Sequence, residues 1–480
     1  MHTQTHKTNS RSLPPYEGKH SAQPDELMTS RQVMPIILAV FRLECGFSTV
    51  PCGSPKNQNK LFLLHPILHN FYNYSMRGFY LILLTLLISV CPLMAQISLP
   101  LTASESARSE QTSLFAAKSP ATNSIEKLWA TSKNFLSQHN LHLGMNISYL
   151  AQRATPAGKQ TAWQGVYSPY ASWHIFQDSP WGSGEFNISY TLARYWGAES
   201  TVLQSRTHTA VALNNYEDNQ ENFAQLSYTH TLPGTWDFLS ATVGQYPIDN
   251  FDGTQYMDNQ QTALIHNSLS QNASAVYPDS SFGVYVQAQT ERFTAALGYQ
   301  DGSNLTGAQV RLKGAFAGHY TTFGALIWTP SLPWGDGQYG FLYYYQPSVD
   351  KRPGSGHGWS INLQQNIFQN WSVFARANGS TNGLCEVHQS YAVGGALLDP
   401  FARNEQDAII LAVARNRLSR AGLDEPDFMR TAETVLEAQW VIGIGKLMTI
   451  SPDFQFIPRA GLDRGTHPVT VWGIRTTLML

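Results

Sequence analysis

The chain is short of charge: Asp, Glu, Lys and Arg make up 13% of its 480 residues, against a hydrophobic share of 42%. Soluble domains carry charge on about a quarter of their residues, so a fully water-facing surface is hard to build from this composition. The two signs nearly cancel, at a net charge of −2. Nucleic-acid binders need a concentrated basic surface, and that class is excluded. Cysteine is scarce too, with 4 residues, of which Cys45, Cys52 and Cys91 precede residue 96. Cys385 alone cannot form an internal disulfide framework. No apolar run reaches the ~20 residues of a membrane helix. Phosphate-binding loops and a Gly-x-Ser-x-Gly elbow are missing, and His230, His319 and His388 are scattered without metal-ligand spacing, so no cofactor or metal is expected.

What the chain does have is alternation. In the closing segment, Trp472, Ile474, Leu478 and Leu480 share one face, while Gly473, Arg475 and Thr477 share the other. A period of two with a charge on one face describes a strand with a different solvent on each side. The same pattern recurs. Leu143, Met145, Ile147 and Tyr149 oppose Gly144, Asn146 and Ser148, and Phe186, Ile188, Tyr190 and Leu192 oppose Asn187, Ser189 and Thr191. Phe282, Val284 and Val286 oppose Tyr285 and Gln287, Trp359, Ile361 and Leu363 oppose Asn362 and Gln364, and Leu436, Ala438 and Trp440 oppose Glu433, Glu437 and Gln439. Each segment is roughly the 9 to 11 residues with which a tilted strand crosses a bilayer. A soluble sandwich or propeller would also alternate, but here the polar face is mostly Gln, Asn, Ser and Gly, and no blade repeat is visible. The expected fold is all-β: a transmembrane antiparallel β-barrel of about 16 strands over residues 141–480.

The N-terminal region reads as export machinery. Met76-Arg77-Gly78 leads into the apolar run Tyr80–Val90 and ends at Leu93-Met94-Ala95, the grammar of a secretory signal peptide over 76–95 cleaved near Ala95. Residues 1–75 then read as a non-native or disordered extension, with Met76 the expected initiator, and Val90 and Pro92 around Cys91 suit lipoprotein processing badly. Residues 96–123, rich in Ser, Ala and Thr, read as a flexible leader. Over 124–140, a cap at Ser124 and a stripe of Ile125, Leu128, Trp129, Phe135 and Leu136 predict a short periplasmic helix. Gln289–Arg292 and Gln369-Asn370 read as short periplasmic turns, and the stretches near 197–221, 247–280 and 399–406 as outer loops.

If the apolar face meets lipid, the other lines a water-filled lumen, and its ionisable residues become the functional candidates. Strand phase places Arg311, Lys313, Arg376 and Arg475 inside with Glu433, Glu437 and Asp453. Opposed charges across a constriction would orient dipolar solutes. Tyr285, Tyr344 and Phe374, in the same phase, could pack on the C–H faces of sugars. Glu433 and Glu437 invite a glycosidase reading, but four residues along a strand separate them by roughly 13 Å, too far for either hydrolytic mechanism. Asp249, Asp252 and Asp258 lack the spacing of a calcium loop and read as a turn.

Three strings then point to one family. Val243–Tyr256 (VGQYPIDNFDGTQY), Phe374–Ser380 (FARANGS), and Glu433–Ala438 followed by Ser451–Ile457 resemble, in order, the signatures of the carbohydrate-selective porins, the OprB-type family. The resemblance covers about residues 125–480. It implies a 16-stranded outer-membrane barrel that passes saccharides passively, and it carries over to Arg376, Glu433, Glu437, Asp453 and Gln455 as pore-lining positions. Leu480 departs from the aromatic last residue usual in outer-membrane proteins, Gln439-Trp440 replaces an aromatic pair, and Cys385 is unexpected. The implied partners are small saccharides in the pore, membrane lipid and lipopolysaccharide, and the barrel-insertion machinery, with the barrel a monomer or a homotrimer in the bacterial outer membrane. A general diffusion porin, or a plugged barrel acting as a structural or adhesive surface protein, is the alternative.

Overall fold

In a computed structural model, residues 120–420, 430–463 and 467–480 are described. The segments expected at 1–75 and 76–95, the cleavage site near Ala95 and all but the end of the leader lie outside them. Helix α1 (Pro120–Gln138) comes first, so Ser124 lies within it rather than at its start. No described helix is long and apolar enough to cross a membrane.

The alternating segments form strands β1 (Leu141–Thr155), β2 (Ala162–Ser179), β3 (Gly182–Tyr195), β4 (Gln220–Thr231), β5 (Leu239–Tyr246), β6 (Ser281–Gln289), β7 (Phe293–Asp301), β8 (Tyr320–Trp328), β9 (Gly335–Gln346), β10 (Gly356–Ile367), β11 (Trp371–Ser380), β12 (Val387–Leu398), β13 (Ala408–Leu418), β14 (Ala432–Ile444), β15 (Met448–Ile457) and β16 (Val469–Met479). A two-residue strand, Ser331–Leu332, pairs only with the start of β9. Each long strand is antiparallel to its neighbours, and β16 returns to β1 in the register Ile147↔Leu478 and Ala151↔Ile474, closing a 16-stranded barrel. Met145 and Leu480 exchange backbone bonds of 3.0 and 2.9 Å at the seam. Closure leaves no edge, which hydrocarbon surroundings require, because an unpaired N–H or C=O there costs several kcal/mol.

The pleat sorts the residues. Along β14, Glu433, Val435, Glu437, Gln439 and Val441 are buried, while Leu436 and Trp440 are exposed. Along β16, Arg475 and Thr477 are buried while Trp472 and Ile474 face outward. Strand direction alternates, so the connections fall at two ends. The turns 180–181, 232–238, 290–292, 329–334, 368–370, 399–407 and 445–447 share the end of Leu141 and Met479, and 196–219, 247–280 and 302–319 share the other. The segment near 399–406, expected as an outer loop, is therefore a turn at the short-turn end. Arg403 holds it in place, pairing with Asp407 and donating to the Gly443 carbonyl at 2.9 Å.

Candidate functional site

The two longest outer connections fold into the barrel. Residues 247–280 carry Ile248, Met257, Leu264, Ile265, Leu269 and Val276, all fully buried. A loop that displays so many apolar side chains must bury them, and here most of them pack against apolar residues of the strands. Helix α2 (Ser200–Thr207) in the first loop buries Leu203, and the one-turn α3 (Asn267–Ser270) in the second buries Leu269. The loops also hold each other: Asn267 N donates to Ala212 O at 3.3 Å and Asn215 N to Gln260 Oε1 at 2.7 Å.

The charged lumen candidates on the strands meet these loops. Arg376, Arg475, Glu433 and Glu437 are 2%, 1%, 1% and 2% exposed. The Glu433 carboxylate accepts the backbone N–H groups of Ala210 (2.9 Å), Val211 (3.1 Å) and Gly461 (2.6 Å). A Cβ on Gly461 would meet the Ala210 Cβ and Leu418 Cδ1 at 2.7 Å, so only glycine brings that N–H close enough. Glu437 accepts from the N–H groups of Ile265 (2.6 Å) and His266 (3.0 Å). Arg376 donates to the carbonyls of Met257 and Asp252 and to Asn362 Oδ1. Arg475 donates to the carbonyls of Gln260 and Ala263. Gln455 donates to Leu213 O at 3.2 Å, and Asp453 accepts from Gln455 at 3.3 Å.

The aromatic candidates do the same with rings. Tyr344 meets Tyr277 edge-on at 4.9 Å, and its hydroxyl accepts from Val276 N at 3.2 Å. Phe374 stacks on Tyr256 at 5.1 Å, and Tyr285 meets Phe251 edge-on at 5.4 Å. Arg311 and Lys313 lie elsewhere, exposed in the loop 302–319 and not on a strand. The strand charges do not oppose one another across a lumen. Arg376 is on β11, Glu433 and Glu437 on β14, Asp453 on β15 and Arg475 on β16, all in one half of the wall and behind loop backbone.

Asp252, read from the sequence only as part of a turn, and two glutamines not singled out there complete the assembly. Asp252 accepts from Asn362 Nδ2 and Asn272 Nδ2, both at 2.7 Å, and from the Tyr277 hydroxyl at 2.9 Å, tying the two stems of the second loop to the wall. Gln152 and Gln164 serve the first loop, donating to Leu213 O at 3.2 Å and Tyr216 O at 3.1 Å. Their signal in the sequence was the run of Gln and Asn in lumen phase, a set of neutral groups able to satisfy inward-facing backbone.

Other loop side chains face water. Asp249, Asp258 and Asp279 are exposed, yet the surrounding protein limits their hydration. Desolvation, with repulsion from Asp258, Asp279 and Asp252, raises Asp249 to about 8, and desolvation raises Asp279 to about 6 against the pull of Arg352. Burial lowers His266, which caps α3, to about 3. Among the described residues no group of three or more His, Cys, Asp or Glu is placed to hold a metal.

Residues 181–480 match the profile of the carbohydrate-selective porin, OprB family. The chain belongs to that family. Porin AaxA of Chlamydia pneumoniae is 33% identical over 327 residues, covering 68% of this chain and 74% of that protein. Porin AaxA of Chlamydia felis is 33% identical over 326 residues, covering 68% and 73%. The solved structure of Pseudomonas putida OprB superimposes with a TM-score of 0.60 over 73% of this chain and 97% of that one, and at 16% identity it speaks to the fold alone. This OprB-family member is thus an outer-membrane porin, and its fold is that of a channel.

Proposed function

We propose that this porin passes small neutral polar solutes, saccharides foremost, by passive diffusion through an aperture bounded by the loops 196–219 and 247–280. The observation that carries this reading is the seating of both loops inside the barrel by wall side chains: Arg376, Glu437 and Arg475 hold 247–280, and Glu433, Gln152 and Gln455 hold 196–219. Such seating narrows a 16-stranded lumen to the scale of small solutes. The family's description supports saccharides as the cargo, and the exposed amides and carboxylates of the loops supply the donors and acceptors that hydroxyl-rich solutes need. Liposomes holding the purified protein are expected to swell faster in small neutral sugars than in amino acids of similar size. Equal rates would leave a general diffusion pore, and no swelling together with no discrete current steps would favour a plugged barrel. The reading also takes in export through a signal ending near Ala95, contact with membrane lipid and lipopolysaccharide, delivery by the insertion machinery, and a monomeric or trimeric assembly.

A further inference from the structure

The wall grips the inner loop through its backbone. Glu437 takes the N–H groups of Ile265 and His266, and Thr477 Oγ1 donates to Gln261 O at 2.6 Å. Arg475 divides its fork. Nη1 donates to the carbonyls of Gln260 and Ala263 on the loop, while Nη2 lies against Gln439 Oε1 (3.4 Å) and Ser451 Oγ (3.3 Å) on β14 and β15. None of these bonds uses a loop side chain. Both residues are buried, so a solute in the aperture meets the loop before it meets them.

We infer that Glu437 and Arg475 are positioning residues for permeation: they fix the depth of residues 260–266, and so the width of the aperture, without touching the solute. The inference rests on the channel reading above. It separates geometry from charge. A lysine at 475 keeps the charge, but its three donors sit on one nitrogen and cannot reproduce the split between loop and wall that Nη1 and Nη2 make. An aspartate at 437 keeps the charge but is shorter by one methylene, which takes its oxygens beyond hydrogen-bond reach of the Ile265 and His266 amides. Charge-assisted bonds to backbone are among the stronger anchors a loop can have.

The test compares wild type with Arg475→Lys and Glu437→Asp as purified, folded barrels in planar bilayers. Both variants are expected to show brief high-conductance excursions about tenfold more often than wild type. They should admit larger polymers, keep the wild-type reversal potential in a salt gradient and retain the electrophoretic mobility of a folded barrel. Variants that match wild type in excursions and polymer exclusion would make the two residues plain charges and overturn the inference. So would a lower yield of folded barrel whose inserted pores conduct as wild type, which would mark a structural role only. Cleavage of folded barrels by proteinase K provides a readout independent of current. Residues 258–266 should be cut about tenfold faster in the variants, because a released loop leaves the lumen. If wild type carried no current, the channel reading would fall, and the cleavage rates would still decide the positioning role.

Discussion

The loop 247–280 is held at two places by two kinds of chemistry. Its stems pack on β5 to β9, where Ile248, Phe251, Val276 and Tyr277 join Tyr246, Phe323, Leu342 and Tyr344 in one apolar cluster. Its tip lies on β11, β14 and β16, where Arg376, Glu437 and Arg475 bind the backbone of residues 257–266. The apolar grip reads loop side chains and depends on their size. The charged grip reads N–H and C=O groups and works beside the packing of Met257 and Leu264 on the wall. Chain that crosses a lumen without joining the sheet leaves its backbone groups without ladder partners. Ionised side chains are strong partners for them, and the backbone bonds in turn offset the desolvation of those charges. The tip therefore adds to its own packing, through Met257 and Leu264, a grip that does not depend on side-chain identity, whereas the stems rest chiefly on the apolar one.

The sharpest way to break this contrast is at the charged grip. Arg376→Met leaves the carbonyls of Met257 and Asp252 and the Asn362 amide oxygen without their donor, beside the buried Asp252 carboxylate. Removing one buried charged partner costs about 3–5 kcal/mol, read as lost protection of the loop against protease over a urea series. A loss under about 1 kcal/mol would mean that the tip is held by its own packing. At the apolar grip, Phe251→Ala removes a ring that meets Tyr285 and Phe323, both at 5.4 Å. Its expected cost is about 3–4 kcal/mol in the same assay, and Phe251→Leu should recover most of it while no tip substitution does.

A smaller effect follows from pH. Asp279 and Asp249 titrate at about 6 and about 8, both raised. The loop-in state therefore binds their protons more tightly than a hydrated loop would. That contribution to loop seating is present at low pH and fades as pH rises through those values. The same ionisation makes the aperture more negative, so reversal potentials in a salt gradient should move towards cation selectivity between about pH 5 and pH 9. Asp249→Asn with Asp279→Asn should flatten that change, and an unaltered slope would place both carboxylates outside the conducting path. The smallest effect is expected at Arg311 and Lys313, exposed in a third loop. Alanine at both should alter stability by no more than about 0.5 kcal/mol and leave sugar entry as it is.

The barrel was legible because period-two alternation is local. Trp472, Arg475, Glu433 and Glu437 each declare their face from their own strand. The family was legible from Val243–Tyr256, Phe374–Ser380 and the closing pair of strands, for the same reason. What Arg376 and Glu437 hold in the loop was not legible, because those partners are backbone atoms more than a hundred residues away and carry no side-chain signature. Arg311 and Lys313 misled because alternation over a few residues of the loop 302–319 imitates a strand. The clue to the inward loops was their apolar content: Met257, Leu264, Ile265 and Leu269 have no place in a solvated outer loop.

The central claim is that the conducting state has the loop 247–280 seated inside the barrel. Gln261 lies within reach of Ser148, its amide nitrogen 3.3 Å from the hydroxyl. Cysteines at 261 and 148, in a Cys385→Ser background, can be bridged by a short thiol-to-thiol linker while single-channel current is recorded. The account predicts that the bridge forms in folded barrels and leaves the conductance at its unbridged level. A bridge that abolishes the current, or barrels that conduct normally but cannot be bridged, would contradict it.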